Sequence, residues 1–380
     1  MRLIHTSTFR QEEFYGSEIP PYAILSHTWG EHEVTFQQYR DIEYARSLSA
    51  FHKIYHTCRL AALRNLDWAW IDTCCIDKSS SAELSESINS MYTWYQRAAV
   101  CFAYLFDLPA GVATDHGNSN DVFGKCRWFT RGWTLQELIA PRSVIFYNSE
   151  WTVYGTKDEL AERISAIMNI DVGVLRGKRL DHFSIAQRMS WAAHRQTKRV
   201  EDIAYCLMGI FGVNMPLLYG EGENAFIRLQ EEIMQDSDDS SLLAWRAREG
   251  GADDTPSLHV LPDGSQVRGP FASSPAEFAD SGNITYRPSL EMGYAPYTMT
   301  NKGLYIKRPC IRTEQGEILF LGCGKVNGLR DYKLVGIRIK SLSGGRGVVV
   351  RTTPAKLFML SMHDLWAAVE TEVYIRKRFV

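Results

Sequence analysis

The stretch "YAILSHTWGE", Tyr22 to Glu31, decides the architecture. Four apolar residues run without interruption into a serine, a histidine, a tryptophan and an acid. Three later runs have the same form: "WAWI" (Trp68 to Ile71), "VCFAYLF" (Val100 to Phe106) and "SVIFY" (Ser143 to Tyr147). Each is short and apolar throughout, which is the pattern of a strand buried on both faces. Between them, "SLSAFHKIYHTCRLAALRN" and "ELSESINSMYTWYQRAA" repeat their apolar residues near a 3.6-residue period, with Ser80 or Ser81 ready to cap the second helix ahead of Glu83. The third connection is a long polar loop, Pro109 to Lys125, with a short helix only after Gly132. Alternating strands and helices give an α/β parallel sheet covered on both faces through right-handed crossovers.

In such a sheet ligands sit beyond the carboxyl ends of the strands. The residues in those positions are polar: "SHTWGE" after the first strand, "DTCCIDK" (Asp72 to Lys78) after the second, the loop from Asp107 after the third, and "NSEW" (Asn148 to Trp151) after the fourth. Beyond Leu160 the pattern turns helical as far as Trp245. "DSDDSS" (Asp236 to Ser241) and "REGGADDTPS" (Arg248 to Ser257) read as surface linker, and the last third alternates as β structure. The expected division is an effector domain over 1–160, a helical extension over 161–245 and a β-rich domain over 246–380.

Composition narrows the function. Lys+Arg 42 against Asp+Glu 44, with no long basic run, excludes the charge footprint of a nucleic-acid binder. The apolar run from Ala204 to Tyr219 is broken by Gly209, Gly212, Asn214 and Pro216, so no membrane span is expected. Eight cysteines without a CxxC pair read as reduced, mostly buried thiols, with no metal site and a cytoplasmic location expected.

Ser26 and His27 are neighbours on an extended chain and point to opposite sides, so they form no dyad with each other, and no G-x-S-x-G elbow occurs. With Trp29 they line a pocket or tie down a loop. "YGEGENA" (Tyr219 to Ala225) matches a dinucleotide fingerprint in letters only, because Glu221 and Glu223 would repel a pyrophosphate; a turn opening the next helix is the reading that fits. Asp72 and Asp77 suit a strand end and a helix start better than a metal loop. Glu137, in "RWFTRGWTLQELIAP" (Arg127 to Pro141), has two readings: a carboxylate favoured by a first helical turn, or one desolvated among Trp128, Phe129, Trp133, Arg127 and Arg131.

"PPYAILSHTWGE", "WAWIDTCCIDKSSSAELSESINSMYTWYQRA" and "RWFTRGWTLQELIAP" together resemble the heterokaryon-incompatibility (HET) domain of filamentous fungi, over roughly residues 20 to 150. "RMSWAAHRQTKRVEDIAYCLMGIFGVNMPLLYGEGENAFIRLQEEI" looks like the helical segment that follows it. The resemblance implies a trigger of regulated cell death after non-self recognition. The HET domain is distantly similar to TIR domains, which implies a TIR-like, flavodoxin-like sheet. "WTLQEL" would then place Glu137 as the glutamate that cleaves NAD, the candidate substrate, without a resident cofactor. Ser26, His27, Trp29, Asp72, Arg127, Arg131 and Trp133 are the accompanying candidates for binding it, with an indole on the nicotinamide or adenine and an arginine on the pyrophosphate. The rival implications are a non-catalytic module that self-associates or binds a partner signalling protein, and a module binding another nucleotide.

Overall fold

A computed structural model of the chain describes residues 1–112, 121–248, 259–286, 296–314, 316–327, 331–342 and 347–377. These residues form two compact units: 1–179 with 195–217, and 180–194 with 218–380. The segment expected as a helical extension, 161–245, contributes to both.

The first unit is built on seven strands: β1 (Arg2–His5), β2 (Gln11–Glu13), β3 (Tyr22–His27), β4 (Trp68–Trp70), β5 (Val100–Tyr104), β6 (Val144–Tyr147) and β7 (Val153–Thr156), in the order β2-β1-β4-β3-β5-β6-β7. The four strands read from the sequence, β3 to β6, are parallel to one another. Their order 2-1-3-4 is that of flavodoxin-like doubly wound sheets. The sheet as a whole is mixed, because β1, β2 and β7 add antiparallel edges. Every residue of β3 and β5 is buried, as strands covered on both faces require. Burying Ile24, Leu25 and Phe102 completely contributes about 1.5–3 kcal/mol each.

The helices follow from the order. Two short ones, α1 (Phe36–Tyr39) and α2 (Ile42–Ser47), lead into α3 (Phe51–Ala62), which carries the chain from β3 to β4. After α4 (Asp72–Cys75), α5 (Ser81–Arg97) crosses back past β3 to reach β5, and α6 (Thr134–Ile139) precedes β6. Right-handed crossovers in opposite directions put α3 on one face and α5 on the other. Ser80 caps α5, its hydroxyl accepting the Glu83 N–H.

Gly132 fixes the approach to α6. Its N–H donates to the Gln196 carbonyl at 2.9 Å, and a Cβ there would lie 2.5 Å from the Thr197 methyl group. Only glycine allows that close pass.

In the second unit, strands Gly303–Thr313, Gly316–Asn327, Asp331–Ser341, Val348–Thr352 and Val369–Ile375 each pair with the next, and the last pairs with the first, closing a five-stranded ring. This is the β-rich region expected. The supposed linker Asp236–Ser241 is different from its expectation: Asp239, Ser240 and Ser241 are buried, and the Asp239 carboxylate and Ser241 hydroxyl accept the Ile185 and Ala186 N–H groups at 2.7 and 3.0 Å. They satisfy the orphan donors of the helix Ile185–Ser190, so a polar run is interior here. The other expected linker lies outside the described residues apart from Arg248. All eight cysteines are buried and free. Among the described residues no helix is long and apolar enough to cross a membrane.

Candidate functional site

The crossovers from β3 and β5 leave in opposite directions although the strands are neighbours, with His27 beside Tyr104. In doubly wound sheets ligands bind where the crossovers diverge in this way. Ser26 and His27 lie at the carboxyl end of β3, and their alternation sends one side chain to each face of the sheet.

On the α5/α6 side, Ser26 is fully buried and donates its hydroxyl to Glu137 Oε2 at 2.5 Å, while Trp128 Nε1 donates to Ser26 Oγ at 2.8 Å. Glu137 is the fourth residue of α6, a helix whose six residues are all buried. Burial pushes the Glu137 carboxyl up to about 8; the Asp72 charge adds to this, and the Ser26 hydroxyl, Arg195 and Tyr95 oppose it without cancelling it. Among the described residues Glu137 has no ion pair. Glu137 does lie in the first turn of α6, and it is also desolvated, a buried carboxyl held by a hydroxyl. Tyr95, on α5, donates to the Leu25 carbonyl at 2.9 Å and closes the site from below.

On the α3 side, His27 Nε2 lies 3.0 Å from Asp72 Oδ1, and Trp29 Nε1 donates to Asp72 Oδ2 at 2.8 Å. Lys53 Nζ reaches His27 Nδ1 at 3.2 Å and Glu33 Oε1 at 2.5 Å. An ammonium only donates, so Nδ1 accepts and the imidazole proton sits on Nε2, facing Asp72. Burial works to raise the Asp72 carboxyl, but Lys78, His27 and the Trp29 N–H outweigh it and bring it down to about 2. These three neighbours favour the ionised form of Asp72. Lys78 Nζ lies 3.5 Å from the centre of the Trp29 ring and occupies one face of that indole.

The structure brings Ser26, Glu137, His27, Trp29 and Asp72 into two hydrogen-bonded clusters on one rim. The remaining expected residues are placed otherwise. Arg127 is exposed and reaches Asp107 through its backbone N–H at 2.7 Å. Arg131 is half-buried, and its carbonyl accepts from Arg195. Trp133, also half-buried, stands at the head of α6.

Three contributors carry little signal in the sequence. Trp128 reads there only as a neighbour of Glu137. Lys53 shares the buried stripe of α3 with Ile54, Thr57 and Ala61, and a lysine at that spacing was the available signal. Arg195 had none. It is buried, donates to Thr134 Oγ1 at 2.8 Å to fix the first turn of α6, and burial pushes its guanidinium down to about 9.

Residues 22–114 match the family model for heterokaryon incompatibility protein (HET), and this part of the chain is a HET domain. The match includes Ser26, His27, Trp29 and Asp72 and ends before Glu137. Over 226 residues the chain is 47% identical to the vegetative incompatibility protein HET-E-1 of Podospora anserina, an alignment covering 58% of this chain and 16% of that protein. Residues 224–307 match a domain of unknown function, DUF8212. No solved structure matches.

Proposed function

We propose that this chain is an effector of regulated cell death in heterokaryon (vegetative) incompatibility, and that its HET domain acts by hydrolysing the nicotinamide–ribose bond of NAD with Glu137 as the catalytic carboxylate. The observation that carries this reading is a buried carboxyl, free of any ion pair among the described residues, hydrogen-bonded to Ser26 at the carboxyl end of a central strand of a doubly wound sheet. Desolvated carboxyls with displaced pKa values concentrate at functional sites.

The chemistry suits one carboxylate. The bond between ribose C1′ and the pyridinium nitrogen breaks, and its electron pair neutralises the departing nicotinamide. Water then bonds to C1′ and loses a proton. No acid need protonate the leaving group, unlike in O-glycoside hydrolysis. Positive charge develops on the sugar, where a carboxylate fixed by Ser26 stabilises it and Asp72 contributes a second negative charge. The cationic substrate would draw the proton off Glu137. On this reading Trp29 or Trp133 would stack the nicotinamide or adenine, and Arg127 or Arg131 would hold the pyrophosphate.

A second reading, a non-catalytic module acting through self-association or a partner, is favoured by one observation: the hydrogen bond from Ser26 already holds Glu137 within the fold. Purified protein and expressing cells, compared with Glu137→Gln, decide between the two. NAD loss that vanishes in the variant supports the enzyme; killing that persists with NAD unchanged supports the scaffold.

A further inference from the structure

The second unit contains a cavity of about 390 Å³ lined by residues at the head of helix Asn224–Asp236, by the segment Arg268 to Ser273, and by His259 and Lys377. That is a size that accepts a small organic molecule. Ile227, Phe271 and Ala272 give it an apolar wall, and Glu223 and Arg268 give it two opposite charges.

Arg268 is built into place. It is 4% exposed, its Nη1 is bonded to Glu277, and its guanidinium carbon lies 4.6 Å from the Trp245 ring. Glu277 is itself held by the Ser273 N–H at 2.8 Å. Nε and Nη2 of Arg268 have no partner among the described residues, and these two parallel donors form the edge that a carboxylate meets in a fork. Glu223, on the same cavity, makes no side-chain hydrogen bond among the described residues, and it feels the Arg268 charge. Lys377 is engaged with Glu231.

We propose that this cavity binds a small zwitterion of the amino-acid class with an apolar side chain, its carboxylate on Arg268, its ammonium on Glu223 and its side chain against Ile227, Phe271 and Ala272. A dicarboxylate or phosphate would meet Glu223 with like charge. A simple amine would meet Arg268. Neither would use both charges and the apolar wall together.

The test uses the purified full chain with L-phenylalanine and L-leucine as probes, and with 3-phenylpropionate and phenethylamine, each of which lacks one of the two charges. Calorimetry and thermal shift should show binding of an amino acid, and at least about tenfold weaker binding of both analogues, as the loss of a charge-assisted bond implies. Glu223→Gln alters an exposed side chain, so it should leave the unliganded melting temperature unchanged and weaken the amino acid by about tenfold or more. Ile227→Trp should fill the space and abolish binding. Glu137→Gln should leave binding intact, which separates this proposal from the fate of the NAD reading. No heat or shift with either amino acid at millimolar concentration, equal binding of either analogue, or binding that survives Ile227→Trp overturns it.

Discussion

Glu137 in the first unit and Glu277 in the second are buried to the same degree, each 7% exposed, and they are held in opposite ways. Glu277 faces the Arg268 guanidinium and the Ser273 N–H, so both its oxygens are matched by strong donors and its charge is cancelled. Glu137 faces a serine hydroxyl, and its nearest guanidinium, Arg195, is spent on Thr134 and the Arg131 carbonyl. In the first arrangement the Glu277 carboxylate is fully matched, and it serves to hold Arg268 in place. The second leaves a carboxyl whose ionisation is costly, a cost that the cationic substrate proposed above would offset.

The sharpest way to break the comparison is to remove the guanidinium from the paired site. Arg268→Leu leaves Glu277 buried and unmatched, and should cost about 3–5 kcal/mol in chemical denaturation, the usual penalty for an orphaned buried charge. Glu137→Gln should cost far less, because it replaces a mostly neutral carboxyl by an amide of the same shape. If both substitutions destabilise equally, the two sites are alike and the distinction collapses. On the proposed chemistry, Glu137→Gln should instead lower NAD turnover by about 10²–10³-fold, the scale of one lost electrostatic stabiliser. The measurement is nicotinamide release by folded protein.

The contrast between legible and illegible features has a physical basis. Strands β3 to β6 could be read because burial on both faces leaves an unbroken apolar run. β2, "QEE", is an edge strand with no buried residue, β7 is the other edge, and β1, though paired on both sides, has only four residues with partly exposed ends, so no pattern marks them. Glu137 and Ser26 could be read as rim residues, but not as partners: 111 residues separate them and only the fold brings them together. Asp239 to Ser241 looked like linker because sequence polarity does not tell water from orphan backbone donors. The closed ring of the second unit was likewise hidden, since strand identity can be read locally and strand pairing cannot.

Acidity offers a finer test. The Glu137 carboxyl ordinarily ionises near 4.5 and in the fold near 8, so the unfolded chain gives up this proton first. Its contribution to stability is complete below about pH 4.5 and is lost as pH rises towards 8, with a slope of at most about 1.4 kcal/mol per pH unit from this one group. Glu137→Gln should remove that slope. Denaturation curves at pH 5, 6, 7 and 8 that fall in parallel for both proteins would show that Glu137 does not titrate in this window.

The smallest expected effect separates the two partners of Ser26. Its hydroxyl donates to Glu137 and so favours the ionised carboxylate; Trp128 in turn donates to that hydroxyl and fixes its direction. Ser26→Ala removes the donor outright, so the carboxyl should titrate higher still, and on the proposed chemistry, in which turnover rises as Glu137 ionises, that rise should move to more alkaline pH. Trp128→Phe keeps an aromatic ring in edge-to-face contact with Phe129 and Phe146 and removes the N–H, costing about 1 kcal/mol and moving the limb the same way by less. The order matters more than the sizes. Were Trp128→Phe to shift the pH limb further than Ser26→Ala, the indole would be acting on Glu137 through packing, and the hydroxyl would not be the link between them.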